Sequence, residues 1–276
     1  MGNESLTNEN AEFWDELCGT GLAKHLGVTD SSAESLEKYD NFYFEIYPYL
    51  NDYINTSDLK GKDILEIGLG YGTVSSHLAK SGSNYSGLDI ASGPVKMVNH
   101  RLELLSVSGK AVIGSILEPP FEEESFDTIV AIGSLHHTGD LQLAIDSCYK
   151  LLRPEGELIF MVYNAYSYRR FVKAFIKTVL YFIREQFFFY RGVIGSSSTK
   201  ERAAYDANTV SLVGAPHTDW ISIRSLKKLC QNFSHSSANL ENIDQESPFK
   251  RSSRKELLLT RWPSWFGLDI YVVAKK

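Results

Sequence analysis

The sequence predicts an α/β fold: a mostly parallel sheet of seven strands flanked by helices, with a helical cap before it and a helical insertion after the fifth strand. Three features predict this. Apolar runs that read as strands alternate with helical stretches from Asp63 to Tyr163, the pattern of parallel strands joined by crossover helices. The first run, Ile64 to Ile67, opens directly into the glycine turn Gly68-Leu69-Gly70-Tyr71-Gly72. After residue 164 the alternation gives way to a long amphipathic stretch. The expected segments are a cap over 1–60, a core over 61–164, an insertion or lid over 165–221 and the rest of the core sheet over 222–276.

Residues 1–60 are helical and aromatic. Phe13, Trp14 and Leu17 form an apolar stripe, and a second helical stretch over 35–54 carries Tyr39, Phe42, Tyr43, Ile46, Tyr47 and Tyr49. A break is expected near Tyr47 because Pro48 cannot continue a helix. The segment reads either as a packing surface or as a lid. Strand one spans 63–67, with its helix over 72–81. Strand two, Tyr85–Leu88, ends at Asp89, and Ser92–Ser106 is helical with Val95, Val98, Leu102 and Leu105 on one face. Strand three is Ala111–Ile113 and strand four is Phe126–Ile132. Leu141–Leu152 is a helix that stops before Pro154 and Gly156. Strand five is Glu157–Tyr163. Tyr166–Arg191 reads as one long helix, with Phe171, Phe175, Ile176, Leu180, Ile183 and Phe187 on one face and Arg170, Lys173, Lys177 and Arg184 opposite. Gly192–Thr199 reads as a linker of small residues. Ser222 caps a helix to about Asn232, and Phe233–Ile243 and Leu268–Ala274 supply the last two strands.

The chain has 276 residues and a net charge of −6, so no global basic field argues for a nucleic-acid partner. The charge is uneven: residues 1–60 hold 12 acids and 3 bases, and residues 160–276 hold 9 acids and 18 bases. Either the later part meets an anionic substrate or surface, or it docks on the acidic early part. Cys18, Cys148 and Cys230 are far apart, without metal spacing, which fits a reduced compartment and no bound metal. The polar start lacks a signal-peptide core and no run approaches ~18 apolar residues. A cytoplasmic protein is expected.

The glycine turn lets a ligand approach main-chain N–H groups at a helix N-terminus, so a nucleotide-like cofactor is expected over it. Asp89, at the end of strand two, is spaced to accept the ribose hydroxyls of an adenosine. Strand four ends in Ile132-Gly133-Ser134-Leu135-His136-His137, at the carboxyl edge where ligands of open α/β sheets lie. His136 and His137 titrate near neutrality and are candidate bases, or else they shape the wall. His217 and Asp219, in Pro216-His217-Thr218-Asp219-Trp220, read as base and orienter or as a plain loop. Arg251, Arg254, Lys255 and Arg261 read as an anion site or as a solvated face. The dinucleotide fingerprint needs a glycine where Thr73 stands, and Glu66 suits no pyrophosphate, which weighs against a nicotinamide-dependent reductase.

The Glu66-x-Gly68-x-Gly70-x-Gly72 string resembles the first motif of class I S-adenosylmethionine (SAM)-dependent methyltransferases. Phe126-Asp127-x-Ile129-Val130, Leu135-His136-His137-x-x-Asp140 and Leu151-Leu152-Arg153-Pro154-Glu155-Gly156 resemble the later motifs of their small-molecule branch. Trp14-Asp15-x-x-Cys18-Gly19-Thr20, Ile46-Tyr47-Pro48-Tyr49-Leu50 and Val162-Tyr163-Asn164 are similar to the bacterial ubiquinone-type enzymes. The resemblance covers about residues 13–165. It implies a Rossmann-like sheet and SAM as methyl donor, leaving S-adenosyl-L-homocysteine. It implies cofactor contacts at Tyr43, Tyr47, Glu66, Gly68, Gly70, Gly72, Asp89, Ile90, Ser115, Ile116 and Gly133. It places His136, His137, Tyr163 or His217 at the acceptor. An acidic residue is usual in this class where Ser115 stands, so the adenine amine contact falls to main chain or to a neighbouring side chain. Glu118-Pro119-Pro120-Phe121 sits before strand four rather than at its end, which argues against a nucleobase-amine or glutamine substrate. A small-molecule acceptor is expected, methylated on oxygen, nitrogen or carbon. The stretch 166–191 offers a lid, a homodimer contact or a peripheral membrane contact that would deliver a lipid-linked or glycan acceptor.

Overall fold

The computed structural model describes residues 2–17, 20–188, 192–195, 198–207 and 213–276. Cys18 and Gly19 of the resemblance, the end of the predicted 166–191 helix and part of the predicted 192–199 linker lie outside the described residues.

Among the described residues, four α-helices precede the sheet: α1 (Gly2–Leu17), α2 (Thr20–His25), α3 (Ala33–Ile46) and α4 (Leu50–Tyr53). Ser32 caps α3 by accepting from the Ser35 N–H, and α3 ends at Ile46 with Tyr47 as its C-cap, one residue before Pro48. Then come β1 (Asp63–Ile67), α5 (Thr73–Lys80), β2 (Asn84–Asp89), α6 (Ser92–Leu105), β3 (Gly109–Ile113), β4 (Phe126–Ile132), α7 (Leu141–Leu151) and β5 (Leu152–Asn164). The insertion holds α8 (Tyr168–Lys173), α9 (Phe175–Phe187), β6 (Ile194–Gly195), α10 (Thr199–Ala203) and β7 (Asp219–Ile221). The remainder is α11 (Ile223–Leu229), β8 (His235–Glu241), α12 (Arg254–Leu258), α13 (Trp262–Phe266) and β9 (Asp269–Lys275).

The strands form one sheet in the order β3-β2-β1-β4-β5. Its β1–β2, β2–β3, β1–β4 and β4–β5 pairs are parallel. The outer edge of β5 is shared: β9 runs antiparallel along Glu157–Tyr163, and β7 lies parallel to Tyr163 and Asn164. β6 extends β7, and β8 extends β9. The described sheet thus has nine strands rather than the seven expected, because β6 and β7 are too short to show alternation in sequence. Ile64, Val130 and Tyr271 face Leu78 and Val98 on one side of the sheet, and Leu65, Ile129, Phe160 and Ile270 face Leu141, Ile145 and Cys148 on the other. Strand order reverses between β1 and β4, which opens a crevice at their carboxyl ends.

The predicted 166–191 helix is corrected in its continuity: it is two helices, α8 and α9. It breaks at Ala174, where φ −138° and ψ 42° leave the helical region, and the Thr178 hydroxyl donates to the Ala174 carbonyl at 2.9 Å. Its apolar face also points outward. Thr178, Tyr181 and Glu185 form the buried stripe, whereas Phe175, Ile176 and Phe187 are 61%, 73% and 71% exposed. Glu185 holds α9 down by accepting from Tyr166 Oη at 2.6 Å, from Ser225 Oγ at 3.0 Å and from Ser222 Oγ. Arg170, expected on the basic face opposite the apolar one, is buried against the Trp220 ring.

Candidate active site

The glycine turn is shaped by what surrounds it. Gly68 has φ +80°, and a Cβ there would stand 2.3 Å from Ser134 Cβ, so β4 closes on the turn only because the residue is glycine. Ser134 Oγ donates to the Ile67 carbonyl at 2.7 Å and seals that contact. Gly70, at φ +52°, has open space where a Cβ would sit. Gly72 serves packing instead. A Cβ there would meet Arg101 Cδ at 2.7 Å, and the residue lines neither of the two cavities at this edge of the sheet. Arg101 in turn donates to Asp40 of α3 at 2.9 Å, and Thr73 Oγ1 donates to the other Asp40 oxygen at 2.6 Å.

A cavity of about 220 Å³ opens beside the turn. Gly68, Gly70, Asp89, Ile90, Ser115, Ile116, Gly133 and His137 lie on its wall, as do Thr7, Asn10 and Trp14 of α1. Asp89 is positioned by the backbone: Oδ2 accepts from Leu69 N–H at 2.7 Å and Oδ1 from Ala91 N–H at 2.8 Å. Burial pushes its carboxyl above the usual range, and these two donors work against the shift. Helix α1 spans the mouth. Asn10 Nδ2 donates to the His137 carbonyl at 2.9 Å, the Trp14 ring lies 4.7 Å from the His137 ring, and Asp15 accepts from Gly93 N–H at the rim beyond Asp89.

A second cavity of about 490 Å³ shares Trp14, Gly68, Gly70, Ile132 and Gly133 with the first. Its wall includes Tyr43, Tyr47, Tyr163, Tyr205, Glu66 and Asp206, with no lysine or arginine among the described residues. Tyr43 and Tyr47 are 4.9 Å apart, and Tyr163 and Tyr205 are 4.7 Å apart. Glu66 is 2% exposed, and burial pushes its carboxyl up to about 7 even though Tyr85 Oη donates to it at 2.5 Å. Asp206 accepts from Tyr163 Oη at 2.9 Å on both oxygens.

The three candidate histidines separate. His136 is fully buried between His137 and Tyr163, lines neither cavity, and is held well below the ordinary imidazole range by burial. His137 lines the first cavity. Its Nδ1 donates to the His217 carbonyl at 2.7 Å, so Nε2 is the nitrogen that faces Asp206 Oδ2 at 3.6 Å. Burial lowers His137 and raises Asp206, while each works against the other's shift. His217 Nε2 pairs with Asp219 at 2.9 Å as the sequence suggests, but neither residue reaches a cavity wall. Arg254 is not a free anion site: it bonds the Ile46 and Ile243 carbonyls and covers the Tyr47 ring. No cluster able to hold a metal occurs among the described residues.

Sequence reasoning missed Tyr205 and Asp206, which the insertion carries into the second cavity, and Asn10, which α1 carries into the first. The Tyr205-Asp206 pair belongs to no motif and no periodic face. Asn10 gives no signal until α1 is seen to cross the mouth.

Residues 65–160 match the family described as "Methyltransferase domain". The ubiquinone biosynthesis O-methyltransferase of Pseudomonas putida (strain GB-1) is 28% identical over 123 residues, 44% of this chain and 53% of that protein. That of Aliivibrio fischeri (strain MJ11) is 31% identical over 125 residues, 44% of this chain and 53% of that protein. The chain spans about half the length of these curated relatives. A SAM-dependent methyltransferase structure from Methanosarcina mazei superposes with a TM-score of 0.54 at 14% identity, covering 83% of this chain and 97% of that one. One from Mesorhizobium loti gives 0.53 at 12% identity, covering 83% and 97%. Residues 65–160 thus carry a methyltransferase domain, set in a fold shared with SAM-dependent methyltransferase structures.

Proposed function

We propose that this protein transfers a methyl group from SAM to an oxygen, nitrogen or carbon nucleophile of a small molecule by in-line displacement. The observation that carries the reading is the pair of adjoining cavities, which share the wall of Gly68, Gly70, Ile132 and Gly133. The residues present fit the cofactor: the first cavity has an open glycine at Gly70 and the Asp89 carboxylate on its wall, and the second has anionic and aromatic walls suited to a cation. When bound, SAM supplies an electrophilic methyl on a cationic sulfur. Asp89 accepts from the ribose hydroxyls while its two backbone donors keep it in place. Glu66, Tyr43 and Tyr47 enclose the amino-acid end, and Ile90, Ser115 and Ile116 flank the base. Tyr163, backed by Asp206 and His137, meets the acceptor, and Asp206 takes its proton where the nucleophile has one to lose. His136 and His217 support this wall from behind. The relatives' name favours an oxygen acceptor.

Calorimetric titration with SAM and S-adenosyl-L-homocysteine tests the reading, with Asp89→Ala expected to lose about tenfold or more in affinity. Unchanged affinity overturns the assignment of Asp89, and quenching of tryptophan fluorescence by NADH but not by SAM overturns the cofactor. A labelled-methyl screen on cell extracts identifies the acceptor.

One observation favours a second reading, in which the enzyme works at a membrane surface. The outward face of α9 carries Phe175, Ile176, Leu180 and Phe187, with exposed Lys177 and Arg184 on the same helix and exposed Lys173 at the end of α8, a pattern suited to an anionic lipid interface. No helix among the described residues is long and apolar enough to cross a membrane. Flotation with anionic vesicles, lost in a Phe175→Ser/Ile176→Ser/Phe187→Ser variant, supports this reading. Wild type that stays at the bottom of the gradient refutes it, and a wild-type dimer in solution points instead to a contact between copies.

A further inference from the structure

The first cavity has a polar group that the turn and the strand ends do not explain. Asn10 is 2% exposed, sits on α1 and lies on the cavity wall opposite the sheet's own contributions. Its carboxamide has a determined orientation. The nitrogen donates to the His137 carbonyl at 2.9 Å, and a carbonyl partner requires a donor, so the other end of the amide is the oxygen. That oxygen is buried and has no hydrogen-bond partner among the described residues. A buried acceptor without a donor costs stability unless something supplies one, and few such groups persist in a folded protein without a reason.

The chemistry of the ligand supplies the donor. An adenine base enclosed in this cavity brings an exocyclic amine whose N–H groups need acceptors. On the sheet side, Ser115 stands where a carboxylate would serve, and its hydroxyl already accepts from the Leu117 N–H at 3.2 Å. The unmet acceptor and the unmet donor therefore belong to the same cavity.

We propose that Asn10, held by the His137 carbonyl, accepts the exocyclic amine of the adenine and makes α1 the base-reading element of the site. This rests on the reading of the first cavity as the nucleoside site of SAM. The nitrogen contact to His137 fixes the side chain, so the oxygen is a preset acceptor rather than a rotating amide that would serve amine and carbonyl equally. The site therefore discriminates adenine from hypoxanthine, which presents a carbonyl oxygen at the same position.

The test is binding, not turnover. Calorimetry compares S-adenosyl-L-homocysteine with S-inosyl-L-homocysteine on wild type, Asn10→Leu and Asn10→Ala. Wild type is expected to prefer the adenosyl ligand by about 10- to 100-fold, the value of one buried hydrogen bond made against one mismatched acceptor. In both variants the ratio falls to within about threefold of unity, chiefly through weaker binding of the adenosyl ligand. Cooperative thermal melts establish that the variants are folded. The carboxamide carbon resonance of Asn10 in wild type gives a readout that needs no substitution, and it is expected to shift with the adenosyl ligand and not with the inosyl one. A wild-type ratio near one, a ratio unchanged in both variants, or an unshifted resonance overturns the role of Asn10. Failure of wild type to bind S-adenosyl-L-homocysteine at all overturns instead the reading of the cavity.

Discussion

Replacing Glu66 with glutamine should make the ligand-free protein more stable, and increasingly so as pH rises. The carboxyl is 2% exposed, and burial raises it from 4.5 to about 7. A raised acid stabilises the folded state below its unfolded value, and that contribution is lost as pH climbs through the folded value. At about 1.4 kcal/mol per pKa unit, wild type forfeits about 3 kcal/mol between pH 4.5 and pH 8, most of it between pH 5 and pH 8. Glutamine has no proton to lose and keeps an oxygen for the Tyr85 hydroxyl, which donates at 2.5 Å to Glu66. Asp269 is also raised to about 7 by burial, and Asp89 and Asp206 are raised as well, so the wild-type curve alone mixes several groups. The difference between wild type and Glu66→Gln isolates one. Urea unfolding at pH 5, 6, 7 and 8 should show the two curves diverging by about 2–3 kcal/mol, with the variant the more stable at the alkaline end. Parallel curves across that range would refute the claim that this carboxylate is ionised at the cost of stability.

Three further outcomes follow from the packing. Gly68→Ala places a Cβ 2.3 Å from Ser134 Cβ at φ +80°, and urea unfolding should show a loss of about 2–4 kcal/mol; a loss under about 0.5 would mean that the turn yields freely. Arg101→Met removes the partner of Asp40 at 2.9 Å beneath Gly72, and is expected to cost about 3–5 kcal/mol, with faster amide exchange in α3. Glu185→Ala removes the acceptor of the Tyr166, Ser222 and Ser225 hydroxyls and should cost about 2–4 kcal/mol, while Phe187→Ser at the 71% exposed end of the same helix stays within about 0.5 kcal/mol.

The parts of this molecule legible in sequence are those where local chemistry leaves one choice. The strand Ile64–Ile67, the glycine turn and Asp89 are confined to a few consecutive elements, and the structure brings them to one crevice. The break after Ile46 follows from Pro48 alone. What was not legible depends on parts of the chain distant in sequence. Amphipathic spacing marks α9 as two-faced, but does not tell which face is buried. Here the polar stripe of Thr178, Tyr181 and Glu185 finds hydroxyl partners on α11 and beyond, so it turns inward. Asp206 is one acid among many until Tyr163 and His137 are found beside it. His136 and His137 look equivalent in sequence, yet one residue along the chain separates a sealed ring from one on a cavity wall.

The inverted seating of α9 has a thermodynamic consequence. Heat capacity on unfolding comes mostly from apolar surface newly wetted. Much of the greasy surface of this helix meets water already, so lifting it away wets little more. Its release would register only faintly as a change in heat capacity, and denaturant would promote it weakly for the same reason. Such a helix comes loose through the breaking of polar bonds, in an opening that scanning calorimetry passes over and that amide exchange along Phe175–Phe187 records.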